Sequence, residues 1–404
     1  MLNENCRESA WNAHGVGEPE DILDPRHYVS VRERARNPRC LPLWCYTSPR
    51  FFNAEVQRVF LPSWSYLERL DLVPNRGDFH TLSFMNVPLL MVRGNDDKVR
   101  VFANTCRHRG ALIAEGQGNC KALACPYHSW TYSLEGALLG APNYCDSDGK
   151  PIIDASNQHA FGLVEVPSES WAGFLFICLK GAPGTLLDYL GNLPTHLASY
   201  RLEDMVCTKR VDYHIQCNWK CFVENHADAY HFATVHRRSL AKFKTAAATD
   251  VPKTNANVRA SFAIHEGSAL LLPLPGYDSF SPMPQIDENR KKGTFFIAIR
   301  PGMMITVAND GALTLRCEPL SATTSRLTIS SLFPKSTVER SNFEEIAKNY
   351  YRRNDIVVGE DVAISEKQQA GITSPYSRMA QLCSAEAALN EIANWVIDRI
   401  IAPA

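Results

Sequence analysis

At 404 residues and a formal net charge of -1, the chain is long enough for two domains with separate cores. It lacks the basic excess that would point to nucleic acid or an anionic membrane surface. No apolar run approaches the roughly 20 residues of a spanning helix, and Met1-Leu2-Asn3-Glu4-Asn5-Cys6 does not lead from basic residues into an apolar core, so no secretory signal is expected. Thirteen cysteines, an odd number without paired spacings, then read as free thiols in a reducing cytoplasm.

Taken in chain order, residues 1–45 are polar and charged, with the run Val31-Arg32-Glu33-Arg34-Ala35-Arg36, and read as an arm or short helix. Phe51, Phe52, Val56, Val59 and Phe60 recur at helical spacing and predict a helix within 48–65, leading into the next domain. From 72 to 179 short apolar runs alternate with Gly, Asn and Asp turns, as in Pro88-Leu89-Leu90-Met91-Val92-Arg93 and Val99-Arg100-Val101-Phe102 around Asn95-Asp96-Asp97. Trp171-Ala172-Gly173-Phe174-Leu175-Phe176-Ile177-Cys178-Leu179 reads as one buried strand, and Leu270-Leu271-Leu272-Pro273-Leu274-Pro275 is too short to be more than a core segment. A link over 186–201 precedes a helix over 218–236, strands near 259–264, 294–300 and 314–317, and helices over 336–367 and 385–401. The whole is an α+β chain: the arm (1–45), a small antiparallel β domain (46–185), and a domain of antiparallel sheet flanked by helices (186–404). Asn289-Arg290-Lys291-Lys292-Gly293 reads as a solvated basic turn, with docking of a redox partner as the alternative.

The β domain carries Cys106-Arg107-His108 and, after sixteen residues, Cys125-Pro126-Tyr127-His128. Each pair offers one thiolate and one imidazole, the mixture required by a Rieske [2Fe–2S] centre, in which two Cys hold one iron and two His the other. A structural zinc site is the bland alternative. Zinc modules, however, pair like ligands, whereas these pairs are mixed. Cys120, between the pairs, and Cys217 and Cys221 read as packed thiols rather than ligands.

In the larger domain stands Glu224-Asn225-His226-Ala227-Asp228-Ala229-Tyr230-His231, followed by His236. Asp228 and His231 are three apart, on one face of a helix. His231 and His236 are five apart, which a straight helix sets about 140° from one another. Their meeting at one ion therefore needs a kink or a helix end. Two His with a distant carboxylate and open positions form the facial triad of non-haem Fe(II) oxygenases. Gly359-Glu360-Asp361-Val362-Ala363-Ile364-Ser365-Glu366 offers the carboxylate, with Asp361, Glu360, Asp355 and Glu366 all within one or two turns. Glu224 reads equally as a carboxylate beside the site or as a helix N-terminal charge. His226, His214 and His159 read as ordinary polar residues.

Asn104-Thr105-Cys106-Arg107-His108-Arg109-Gly110-Ala111-Leu112 and Cys125-Pro126-Tyr127-His128-Ser129-Trp130-Thr131-Tyr132 resemble the Rieske domain of aromatic-ring-hydroxylating oxygenases, the large (α) subunits of Rieske non-haem iron enzymes, although most members carry Gly at Ser129. The run from Glu224 to His236, after Asn218-Trp219-Lys220, is similar to the same family's mononuclear iron motif. The resemblance implies a Rieske cluster on Cys106, His108, Cys125 and His128, and Fe(II) on His231, His236 and Asp361. It makes Asp228 the electron bridge between His231 and His128 of a neighbouring subunit. Some members that oxidise quaternary amines carry Glu at the bridge, where this chain has Asp.

Within one chain the two centres are taken to lie too far apart for fast transfer, so a head-to-tail homotrimer is implied, with or without a small β subunit. No G-x-G-x-x-G fingerprint is present, so electrons from NAD(P)H would come through a separate reductase, with or without a ferredoxin. The expected reaction with O₂ is hydroxylation, first of all dihydroxylation, of an aromatic substrate. Monooxygenation or demethylation of a quaternary amine or methoxylated compound is the alternative. A Rieske electron carrier or a zinc-binding scaffold is the non-enzymatic one. Phe222, Phe262, Phe295 and Phe296 are candidate pocket residues, and no Arg or Lys stands out as an anchor for a substrate carboxylate.

Overall fold

The computed structural model describes residues 17–33, 38–181, 184–240, 248–253, 255–272 and 276–402. Residues 1–16, 34–37 and 273–275 lie outside these, and with them the start of the arm, most of its arginine run and the end of the leucine run. Tyr66–Leu186 form one compact unit, and the residues on both sides of it form the other. Residues 48–65, expected to open the β domain, thus pack with the larger unit. The reason is a set of buried contacts made by helix α1, Pro49–Glu55, and the turns around it. Lys220 Nζ meets Glu55 at 2.6 Å with both side chains fully buried, and Phe60 stands edge-on to Trp219 at 5.0 Å.

In the smaller unit a five-stranded antiparallel sheet runs in the order Gln117–Asn119, Asp78–Phe84, Val87–Arg93, Val99–Ala103, Glu165–Val166. The first long hairpin closes through Met85 and Asn86, both with positive φ (51° and 62°), as a two-residue turn matched to strand twist demands. A second sheet, Leu123–Ala124, Thr131–Tyr132 and Leu138–Gly140, holds the loop after Cys125. Leu90, Val92, Phe102, Trp130, Tyr132 and Leu138 share one core with Cys106 and Cys125, so both thiols are rooted in apolar packing. Phe174–Ile177, within the run expected as one buried strand, is such a strand, while the start of the run is a hairpin turn: Ser168–Trp171 pairs antiparallel with Phe174–Ile177 across Ala172 and Gly173. Both turn residues have positive φ (50° and 81°), and Gly173 supplies that conformation without strain.

The larger unit is built on a seven-stranded antiparallel sheet in the order Met205–Ile215, Ser325–Pro334, Ala312–Pro319, Met303–Val307, Gly293–Ile299, Val258–Ile264, Thr249–Asp250. Helices α2 (Trp219–Ala227), α3 (Phe232–Val235), α4 (Phe343–Ile372) and α5 (Ala387–Ile400) accompany it. The α+β architecture holds. The expected link over 186–201 contains two short helices, Leu186–Leu190 and Leu193–Leu197. Among the described residues no helix is long and apolar enough to cross a membrane. Two cations of the basic turn are matched locally, Arg290 by Asp287 at 3.4 Å and Lys291 by Glu288 at 2.7 Å.

Candidate metal centres

The two cysteine–histidine loops are copies of one backbone design. Cys106 N–H donates to Ala111 O and Gly110 N–H to Cys106 O; likewise Cys125 N–H donates to Trp130 O and Ser129 N–H to Cys125 O. Each loop therefore closes on its cysteine and needs a left-handed residue four positions on, Gly110 at φ 76° and Ser129 at φ 55°. The turn leaves the cysteines buried (5% and 3% exposed) and the histidines outside, with their Nδ1 atoms 3.2 Å apart. Trp130 stacks on His108 with centroids 5.0 Å apart, and the Tyr132 hydroxyl lies 3.3 Å from Cys106 Sγ.

Cys125 feels Cys106 directly, with burial pushing its thiol up. Among the described residues, however, the four candidate ligands do not converge on one point as a single tetrahedral ion would require. Two buried sulfurs and two more exposed ring nitrogens suit a pair of irons, one held by each kind of ligand. Ser129 occupies a backbone region that costs a residue with a Cβ ~1 kcal/mol or more. Ser129→Gly is expected to keep the cluster and raise unfolding stability by roughly 0.5–1 kcal/mol, part of the relief being lost to glycine's unfolded-state entropy. Thermal unfolding followed at the cluster's visible absorption checks this, and an unchanged or lower midpoint would refute it.

The second constellation depends on a helix that stops early. A helix was expected over 218–236, but α2 ends at Ala227, and Asp228 turns extended (φ -86°, ψ 126°). Asp228 accepts from the backbone N–H of Tyr230 at 2.6 Å and of His231 at 3.3 Å, so its side chain builds the break. One-turn helix α3 follows, flanked by His231 at its start and His236 at its end. The kink required by the five-residue spacing is therefore real, and the two Nε2 atoms stand 3.3 Å apart. Asp228 meets His231 through this turn rather than along a helix face, Oδ2 to Nδ1 at 3.2 Å.

From α4, Asp361 Oδ1 comes within 3.6 Å of His231 Nε2 and 3.0 Å of His236 Nε2. Glu360 accepts from His236 Nδ1 at 2.9 Å and from Ser239 Oγ at 2.5 Å. The other acids turn elsewhere: Asp355 pairs with Lys209 at 3.2 Å, and Glu366 accepts from Gln216 N–H at 2.9 Å. Glu360 was legible only as a rival for Asp361. Neighbouring acids on one helix point about 100° apart, so one reaches the Nε2 face while the other holds the back of the ring.

In the neutral form that binds a metal, with each Nδ1–H given to a carboxylate, each ring turns an Nε2 lone pair toward the other and toward Asp361. Asp361 Oδ1 is buried, and despite those short distances no hydrogen bond among the described residues is aimed at it. Three electron-rich atoms in one spot repel unless a positive charge lies between them. Burial opposes a charged His231, yet Asp228 and Asp361 outweigh it and push its pKa up to about 9. Burial likewise opposes a charged Asp361, but the two imidazoles hold it below the usual carboxylate range. The 3.0–3.6 Å spacings suit the edges of one octahedral face, which measure about 3 Å at metal–ligand distances of ~2.1 Å. The residues fit a divalent metal.

Comparison with known proteins agrees domain by domain. A model of the Rieske [2Fe-2S] domain matches residues 63–147, and one of the ring hydroxylating alpha subunit (catalytic domain) matches residues 202–402. The chain belongs to the Rieske non-haem iron oxygenases, as a large subunit. Its cofactors are accordingly a Rieske cluster and a mononuclear iron, and the electron-carrier and zinc-scaffold readings fall away.

The glycine betaine monooxygenase oxygenase subunit of Chromohalobacter salexigens is 31% identical over 224 residues, 55% of this chain and 48% of that protein. The large oxygenase component of a 2,4-dinitrotoluene dioxygenase system from a Burkholderia species is 34% identical over 203 residues, 48% of this chain and 44% of that protein. The chain thus spans about half the length of these curated relatives. A solved quaternary ammonium Rieske monooxygenase shares the fold at a TM-score of 0.76 and 21% identity, covering 91% of this chain and 97% of its own.

Two of the rings named as pocket candidates pack together, and a further ring stands at the triad. Phe262 and Phe295 pack on each other at 4.7 Å, and Phe295 also meets Tyr200. It is Phe232 that stands against His236, at 5.3 Å. Glu224 is buried under the Tyr46 hydroxyl at 2.8 Å, and burial pushes its carboxyl up to about 7. Neither of the two readings offered for it, site carboxylate or helix-start charge, describes this position. Cys217 and Cys221 are buried packing thiols.

Proposed function

We propose that this chain is the oxygenase component of a multi-component system that places one oxygen atom on a methyl group of a quaternary amine, so that N-demethylation follows. The observation that carries the reaction class is the convergence of His231, His236 and Asp361 on one point. The substrate class rests on the similarity to glycine betaine monooxygenase subunits. When bound by only these three groups, iron has positions left for O₂. His231 and His236 are fixed in one tautomer by Asp228 and Glu360, and Phe232 covers the His236 ring.

Asp228 has a second task in this reading. It carries the electron from His128 of a neighbouring subunit in a homotrimer to His231, while Cys106, His108, Cys125 and His128 hold the cluster. A separate NAD(P)H-dependent reductase, directly or through a ferredoxin, supplies the electrons. Asp228→Asn is expected to leave both metals bound and slow single-turnover transfer by about 10–100-fold, the usual cost of losing the carboxylate behind a ligating imidazole. Normal single-turnover rates would sink the bridge.

Ring dihydroxylation remains the second reading, favoured by Asp228, since some members acting on quaternary amines carry Glu there, and by the 34% identity to an aromatic dioxygenase component. Reductase-driven turnover under ¹⁸O₂ with methylated amines and aromatic acids separates the two. Formaldehyde release with one heavy oxygen consumed per product supports demethylation. A cis-diol with two heavy oxygens replaces it with dihydroxylation.

A further inference from the structure

Among the described residues, the buried polar atoms of the larger unit that lack a hydrogen-bond partner include Asp361 Oδ1, Arg353 Nε and His226 Nε2. Their side chains feel one another's fields, His226 those of Asp361 and Arg353, and Arg353 those of Asp361 and Glu360. The triad accounts for Asp361. It does not account for the other two.

Arg353 lies on α4 eight residues before Asp361, about 12 Å along the helix axis. It is 8% exposed and makes one long hydrogen bond, to Asn354 Oδ1 at 3.3 Å. Among the described residues it has no ion pair. One turn further along α4, Val357 packs with Leu240, Leu272 and Phe232, and Phe232 meets the His236 ring. An apolar patch therefore runs from the guanidinium toward the triad. Burial brings Arg353 down to about 10, so it is still a cation at neutral pH. His226 is driven by burial to about 4 and stays a neutral donor. A guanidinium held out of water without a counter-ion is costly, and its planar fork matches a carboxylate.

We infer that Arg353, assisted by the ring N–H of His226, binds the carboxylate of the substrate, with its methylated ammonium lying over the Val357–Phe232 patch toward the triad. The substrate class is then an N-methylated amino acid rather than an amino alcohol. This rests on the quaternary-amine reading.

The test uses the full chain with its reductase, comparing wild type, Arg353→Gln, Arg353→Lys and His226→Leu on glycine betaine and on choline. Folding of the larger unit is checked by circular dichroism and thermal unfolding, and binding is also read by calorimetry. Arg353→Gln is expected to raise KM and the dissociation constant for glycine betaine at least tenfold with kcat nearly unchanged, and to leave choline unaffected. Arg353→Lys, which keeps charge but loses the fork, and His226→Leu should fall between. Equal losses on both substrates together with loss of iron would overturn the anchor and make Arg353 a counter-charge for the triad. Wild-type turnover of aromatic acids alone, with KM dependent on Arg353, would keep the anchor and sink the amine reading. Turnover of aromatic acids independent of Arg353 would sink both.

Discussion

Replacing His231 by alanine is expected to lower turnover by about 10³-fold or more, equivalent to at least ~4 kcal/mol of barrier. The visible spectrum of the Rieske cluster should be unchanged. The expectation follows from the geometry: three ligand atoms converge, and removing one leaves two groups to hold a metal against water. Asp361→Ala should act alike, because its Oδ1 stands against both Nε2 atoms and has no hydrogen-bond partner among the described residues. Glu360→Gln is milder. It removes the acceptor behind His236 and should weaken iron affinity by about 10–100-fold. Iron content, cluster absorption and turnover measured on the same preparations check all three. Full turnover by the His231 variant would remove the triad from the mechanism.

Lys220→Met is expected to destabilise the larger unit by about 3–5 kcal/mol, because it leaves Glu55 charged and alone in the core. The ammonium is enclosed by Glu55 at 2.6 Å and by the rings of Tyr46, Phe51 and Trp219 at 5.1, 5.4 and 5.3 Å. Burial raises the Glu55 carboxyl and Lys220 opposes that rise, so the pair stands or falls together. Adding Glu55→Leu to Lys220→Met should recover much of the loss, since an apolar pair of similar volume replaces a buried ion pair at little cost. A denaturant titration of both variants decides it, and no recovery in the double variant would show that packing rather than the unpaired charge sets the loss. The functional link is direct. Lys220 is on α2, whose end leads into the turn that presents His231 and His236, so the single variant should also lose iron at a lower temperature.

Ligand chemistry is local, and the chain alone displayed it: the mixed Cys–His pairs, His231, His236 and the acidic run near Asp361 are short motifs in which residue type at fixed spacing dictates what can be bound. Strands with alternating or apolar patterns, such as Val87–Arg93 and Gly293–Ile299, were legible for the same reason. The long strands Met205–Ile215 and Ser325–Pro334 were not, because their serines, threonines and lysine dilute the apolar signal while cross-strand pairing holds them in place.

What sequence could not decide depended on packing between distant segments. The resemblance named Asp361, but spacing alone left Asp355 and Glu366 as rivals, and it is the fold that carries those two acids of a 30-residue helix to other neighbours. It also set Glu360 behind His236, ended α2 at Asp228 and left Arg353 buried without a counter-ion among the described residues. Spacing along a chain fixes which atoms are near in one element. Which lone pairs face each other, and which charges leave water, follows from how separate elements bury one another.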